Sequence, residues 1–315
     1  MEQELSIEWL YRQGHQIINT ESSYWYDIGP KVYQAFPYHK LITPSNDEIL
    51  DLFRRSRAIG IRYSTPLSQP EGQLSYHVVY DQATYEFAGL PKKARHDVTR
   101  GLEYASYESI PMIRLAKEGW KLREDTLVRQ GRQNAESKNF WETLCLSADG
   151  LPCFEAWGAL HEGALVASLF ACTIDDTVGI FYQQSLTDHL KSGINNALTY
   201  TFTQEVLSRS GIRCIFYGLH SLDAPTTVDE YKFRMRYLPR PVRQRVVFNP
   251  LIAPLIKPLS HSLIKFMGKI FRSSSQIAKA EGMVRFYLQG KHSLSDQEWP
   301  DVLREQKETI LAFTG

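Results

Sequence analysis

The chain has 315 residues, of which 43% are hydrophobic, enough to bury a large core in one or two domains. With 36 Lys or Arg against 35 Asp or Glu, whole-molecule charge does not announce a nucleic-acid partner, and charge has to be read segment by segment. Cys145, Cys153, Cys172 and Cys214 form no C-x-x-C pair, which argues against a zinc site or a secreted disulfide framework and points to reduced, buried thiols.

The opening residues, MEQELSIEWL, are acidic where a secretion signal would be basic, and no run approaches the ~18 apolar residues of a spanning helix. A cytoplasmic location is expected. Apolar periodicity predicts a helix over 7–18 and strands near 24–28 and 58–63. Between those strands a helix begins after Ser45-Asn46-Asp47-Glu48, where Ser45 and Glu48 have the spacing of a capping box. Alternation over 74–80 predicts another strand. The segment LPKKARHDVTRGLEYA then reads as a basic helix starting near Pro91, a residue suited to a first helical turn. Lys92, Lys93, Arg95 and Arg100 lie on its polar face, as a solvated surface or as phosphate contacts.

From Ser106 the punctuation is clearer. A strand over 106–110 is followed by helices near 121–134 and 137–147, then by the strands FEAWGALH, ALVASLFACTI and VGIFYQQSL, separated by Glu162-Gly163 and Asp175-Asp176. A helix over 193–208, a strand RCIFYG, a helix VDEYKFRMRY and a strand VRQRVVFN complete the series. This order predicts an α/β (α+β) architecture, a mixed, mostly antiparallel sheet flanked by helices. Beyond Leu251 the chain changes character. From Tyr231 through Ala280 there is no Asp or Glu and there are eleven Lys or Arg, and LIAPLIKPLSHSLIKFMGKIF interleaves apolar residues with lysines. Such a stretch over 251–272 suits an anionic membrane surface or RNA phosphates, unless it only caps the core.

In LKSGINNALTY a predicted helix begins near Gly193, directly after a strand and a short connection. The first N–H groups of a helix lack internal partners and carry partial positive charge. Lys191, Ser192, Gly193, Asn195 and Asn196 are therefore candidates to hold a phosphate, the alternative being an ordinary helix start. No G-x-S-x-G, G-x-x-x-x-G-K-[ST], H-E-x-x-H or dinucleotide fingerprint is present, so hydrolase, kinase and dehydrogenase readings are set aside and no metal is expected.

The element order from Ser106 resembles the GNAT acyltransferase fold, and SGINNAL resembles that superfamily's R/Q-x-x-G-x-G/A pyrophosphate turn. Leu190 stands where Arg or Gln is usual, and Asn195 where a second small residue is usual. The basic helix, AKEGWKLREDTLVRQGR, GALHEGALVASLFACTIDDTVGIFYQQS and YGLHSLDAPTTVDEYKFRMRY together resemble the Fem-type branch, the peptidoglycan-bridge peptidyltransferases and their relatives. The resemblance covers roughly 85–250. It implies two GNAT-like lobes, over 1–104 and 105–250, followed by a basic helical appendage over 251–315.

It also places Tyr231-Lys232 at the family's Phe-Lys pair, with Lys232 stabilising charge in acyl transfer and Tyr231 beside the substrate. His220 and Asp223, in the loop before that helix, are candidates to accept and orient the departing proton. Tyr182 and Gln183 are expected to line the acceptor cleft, although core packing explains Tyr182 equally well. The implied donor is acyl-CoA, in particular acetyl-CoA, and the implied acceptor an amine-bearing sugar or peptide of a cell-envelope or polysaccharide precursor. An aminoacyl-tRNA donor is the alternative, with the tail and the 92–100 helix on tRNA phosphates. The coiled-coil arm common in tRNA-using relatives is not found, which favours acyl-CoA. A third reading is a catalytically idle scaffold held at a membrane by its tail.

Overall fold

A computed structural model describes residues 2–29, 31–132, 135–220, 227–270 and 275–314. The first part of the chain forms α1 (Glu2–Arg12), β1 (Ile17–Asn19), β2 (Tyr24–Gly29), β3 (Val32–Phe36), α2 (Asn46–Ser56), β4 (Gly60–Thr65) and β5 (Gln73–Tyr80). Next come α3 (Lys92–Tyr104), β6 (Ser106–Ile110), α4 (Met112–Arg129), α5 (Lys138–Ala148), β7 (Phe154–His161), β8 (Ala164–Ile174) and β9 (Thr177–Ser185). The remainder forms α6 (Ile194–Ser208), β10 (Cys214–Leu219), α7 (Thr227–Arg234), β11 (Leu238–Phe248), α8 (Pro258–Ile270), α9 (Ser275–Gln289) and α10 (Lys307–Thr314).

From β6 onward the order is the expected one. Before it there are differences. The helix expected over 7–18 stops at Arg12, because Gly14 turns into the left-handed region at φ +83° and Ile17–Asn19 pair with β2. The helix expected from 121 begins at Met112, directly after Pro111.

Contacts divide the chain into two units. Unit 1 comprises residues 1–14, 78–218 and 226–238, and unit 2 comprises 15–77, 219–225 and 239–315. The division is therefore interleaved where the sequence suggested cuts at 104 and 250, because strands far apart in the chain pair with one another.

In unit 1 the strand order is β10-β9-β8-β7-β6, antiparallel except for the parallel pair β9–β10. The β8–β9 register jumps from Phe170↔Tyr182 to Ala171↔Ile180. This leaves Phe181 as a bulge, a device that re-aims side chains at the end of a strand. Trp141 of α5 and Trp9 of α1 fill one face of the sheet, their indole N–H groups donating to Leu115 O and Leu144 O at 3.2 and 3.0 Å. Phe202 of α6 packs on Trp157 of β7. Each such fully buried phenylalanine contributes roughly 2–3 kcal/mol.

In unit 2 the order is β1-β2-β3-β4-β11-β5, with β3 and β4 parallel and Arg243–Phe248 antiparallel to Thr65–Gly60. Trp25, Tyr33, Ile61 and Tyr63 bury against Ile49, Leu52 and Phe53 of α2. Ser45 caps α2 by accepting from Glu48 N at 3.1 Å. The Glu48 carboxylate accepts in turn from the Ser45 backbone N–H, which closes the box. It also accepts from Ser22 N and Oγ at 3.0 and 2.6 Å, pinning the loop before β2. A second cluster joins Val246 and Phe248 of β11 to Met283, Val284 and Phe286 of α9. Gly72 N donates to Gly290 O at 2.9 Å, and Leu74 N donates to Gln297 Oε1 at 2.7 Å. The C-terminal segment thus contains two kinds of structure: α8 at the surface, and residues from α9 onward built into the core of unit 2. Among the described residues, no helix is long and apolar enough to cross a membrane.

Candidate functional site

In unit 1 the end of β9, the start of α6, the end of β10 and α7 bring polar side chains together. Gln183 Oε1 accepts from the Tyr217 hydroxyl and from Thr199 Oγ1, the latter at 3.1 Å. Its Nε2 donates to Asn195 O at 3.3 Å. The Tyr231 hydroxyl donates to the same carbonyl at 2.7 Å and lies 2.7 Å from Thr199 Oγ1. Burial pushes the Tyr231 phenol up to about 12 and the Tyr217 phenol well above its ordinary value, so both stay protonated hydrogen-bond donors at neutral pH.

Lys232 is anchored beside this network. Its Nζ lies 2.9 Å from Asp229 Oδ1, one helical turn earlier, and 5.0 Å from the centroid of the Tyr217 ring. The two side chains of the pair are only 13% and 12% exposed, so the ion pair operates at low local dielectric and is little screened by salt. A Cβ built at Gly218 would lie 3.9 Å from Nζ, so the backbone at the end of β10 passes close to the charge. A fixed ammonium on an aromatic face, next to phenol donors, can stabilise negative charge developing on a substrate oxygen. Past the C-terminal end of α7, Tyr80, Gln82, Glu86 and Arg236 line a cleft of about 410 Å³.

The structure brings Gln183, Asn195, Tyr231 and Lys232 together. Tyr182 points to the opposite face of the sheet, as its neighbouring position on the strand requires. There it meets Trp141 edge-on at 5.7 Å and lies beneath the Arg123 guanidinium. His220 belongs to unit 2, where its ring stacks on Tyr76 at 4.5 Å and its Nδ1 lies 3.3 Å from Ser75 Oγ. Asp223 lies outside the described residues.

The turn before α6 has its own explanation for glycine. Gly193 has φ +78°, and a Cβ there would stand 2.0 Å from Asp97 O of α3. On the facing helix, a Cβ at Gly101 would meet Ala197 Cβ and Gly193 O at 2.6 Å. Close seating of α3 on α6 thus requires both glycines, where the sequence suggested a ligand's approach. Lys191 is exposed and Ser192 half-buried. The Asn195 and Asn196 amides turn to protein partners, Ser185 Oγ at 3.0 Å and Met235 Sδ at 3.3 Å.

Thr199, Tyr217 and Asp229 escaped the sequence reading. Only Asp229 left a signal, its i, i+3 spacing from Lys232 on a predicted helix. Among the described residues, no group of three or more His, Cys, Asp or Glu is placed to hold a metal ion.

This strand order and its flanking helices define the class at the level of fold: the chain has a mixed α/β fold shared with the solved structures of FemX and of lysylphosphatidylglycerol synthetase domains. It is similar to the crystal structure of FemX, with a TM-score of 0.55 and 8% identity, covering 79% of this chain and 92% of that one. It is also similar to the C-terminal domain of a putative lysylphosphatidylglycerol synthetase from Agrobacterium fabrum, with a TM-score of 0.54 and 11% identity, over 80% and 89% of the two chains. For L-PGS from Bacillus licheniformis the values are 0.50, 10%, 80% and 93%. No protein-family model and no curated sequence matches the chain.

Proposed function

We propose that unit 1 transfers an acyl or aminoacyl group to an amine, with Lys232 stabilising the oxyanion. The observation that carries this reading is the enclosed Lys232 ammonium, aligned by Asp229 and the Tyr217 ring at the end of β10. In the reaction the amine nitrogen bonds to the activated carbonyl carbon, and the bond to the leaving thiolate or alkoxide breaks. The proton given up by the attacking amine balances the charge of the departing thiolate or alkoxide. Positioning and charge stabilisation suffice, and no covalent enzyme intermediate is invoked.

Acyl-CoA is the proposed donor, held near Lys191 and the start of α6, with an amine-bearing sugar or peptide of an envelope or polysaccharide precursor as acceptor. Aminoacyl-tRNA is the second reading, favoured by a specific observation: the Asp97 carbonyl occupies the open side of Gly193, and Lys92 and Lys93 of the same helix are exposed. The product named for the Agrobacterium fabrum structure, lysylphosphatidylglycerol, is itself an aminoacylated molecule.

Calorimetry with acetyl-CoA decides between the donors, using a Lys191→Glu variant, since any side chain at 193 would meet Asp97. Binding by the parent that is weakened by Lys191→Glu supports acyl-CoA. No binding, with transfer from charged tRNA that falls steeply as salt rises, supports the second reading. Absence of product from every donor would leave the idle scaffold. Retained turnover in Lys232→Met would overturn the assignment of the site.

A further inference from the structure

We propose that the outer face of α8, with the turn leading into it, is a docking surface for an anionic lipid bilayer. This goes beyond the catalytic reading and does not depend on it. Leu251, Leu255, Leu259, Leu263 and Phe266 are 87%, 70%, 81%, 60% and 59% exposed, while the other exposed large hydrophobic residues among those described stand at 54% or below. Within the helix, Leu259, Leu263 and Phe266 recur at intervals of four and three, which places them on one side. Leu251 and Leu255 continue the apolar run through the preceding turn.

The opposite side of α8 is already used. Ile264 packs on the cluster of Val246, Phe248, Met283, Val284 and Phe286, and His261 Nε2 lies 2.7 Å from Glu281 Oε1 of α9. The exposed stripe is therefore not a core face awaiting its own unit. Its helix caps the core with one side and presents a second apolar side outward.

Charge selects the occupant. Lys257 and Lys265 are exposed beside the stripe, and no acidic residue occurs from Tyr231 through Ala280. A second copy of the chain docking through the same patch would set these lysines against their equivalents across a two-fold axis, an unfavourable arrangement. An anionic bilayer accepts the leucines and phenylalanine below its headgroups and pairs the lysines with its phosphates. At 13 residues α8 is about 20 Å long, so it lies in the plane of the interface without spanning it.

The test is flotation of the full chain with vesicles of phosphatidylcholine containing one quarter phosphatidylglycerol, and with phosphatidylcholine alone. The parent is expected to float with the anionic vesicles and to bind the neutral ones at least tenfold more weakly. A Leu259→Ser, Leu263→Ser, Phe266→Ser variant is expected to lose binding tenfold or more with an unchanged Tm, since the altered side chains are already in water. Lys257→Glu with Lys265→Glu is expected to abolish the preference for anionic lipid while leaving the apolar stripe intact. No flotation of the parent, or flotation unaffected by either variant, would overturn the proposal. So would a parent dimer that the serine variant turns into a monomer in light scattering, because the occupant would then be a second copy.

Discussion

Lys232 combines a full charge with near-complete enclosure, so its two neighbours have separable roles. Lys232→Met is expected to lower turnover by about 10² to 10³, the range for losing one oxyanion-stabilising group, with little change in KM. Asp229→Ala removes the carboxylate from a buried ammonium and is expected to destabilise the fold by roughly 3 kcal/mol in urea melts. Gly193→Ala is a different case. Its Cβ meets the Asp97 carbonyl and its φ is positive, so a loss of several kcal/mol is expected even with no donor present. Unchanged stability would show that α3 can move aside. In unit 2, burial pushes the His77 imidazole down to about 3, helped by the charges of His39 and Arg62. Between about pH 3 and the ordinary 6.5, the unfolded chain binds a proton that the folded one refuses, so stability falls as pH is lowered through that window. The slope approaches ~1.4 kcal/mol per pH unit. His77→Gln, with an amide in place of the ring nitrogen that meets Ser64 Oγ at 2.8 Å, is expected to flatten it in denaturant titrations at stepped pH. At this scale Lys232 entered through the family resemblance, and its partner Asp229, three residues earlier on the same helix, was within reach of spacing alone. The sequence was silent where two elements must meet, as with Thr199 and Tyr217.

The elements that could be read were those bounded by backbone that few residues tolerate. Glu162 and Gly163 have φ +50° and +79°, and Asp175 has φ +58°, so the β7–β8 and β8–β9 turns announce themselves through residues suited to left-handed conformations. β3 also follows a left-handed residue, Lys31 at φ +57°, but lysine does not advertise that conformation, and with four of the five residues in VYQAF buried apolar alternation has nothing to contrast with. The capping box at the start of α2 was legible in Ser45 and Glu48, but the second role of Glu48 was not, because Ser22 reaches it from a distant loop. Ser45→Ala is therefore expected to cost about 1 kcal/mol, the ordinary value of an N-cap, in chemical denaturation. Glu48→Ala removes both bonds to Ser22 and is expected to loosen the loop before β2 in amide exchange while α2 itself remains.

For the whole molecule, the division into two units followed from pairing that composition does not reveal. A basic tail beyond Leu251 was visible; that Phe286 of α9 closes the cluster with Val246 and Phe248 was not. Truncation after residue 250 is accordingly a poor way to remove the lipid-docking helix. It also strips Met283, Val284 and Phe286 from the core of unit 2, each worth about 2–5 kcal/mol, against a total stability of about 5–15 kcal/mol. Such a chain is expected to be largely unfolded in unit 2 by near-ultraviolet circular dichroism, whereas the serine variant of α8 is expected to keep the parent's spectrum.

The interleaved order of the units also governs how the chain emerges from the ribosome. Unit 1 has all its residues once 238 has been made, so its sheet can close while synthesis continues. Unit 2 begins earlier, with β1 to β4, yet β11, which pairs with the edge of β4 away from β3, and the helix that covers that strand arrive only with the final quarter of the sequence. For most of translation, then, the oldest sheet in the nascent chain presents an open edge along Gly60–Thr65 and an uncovered apolar surface. That interval is when holding factors would engage this protein, and slowing the ribosome after residue 238 would lengthen it.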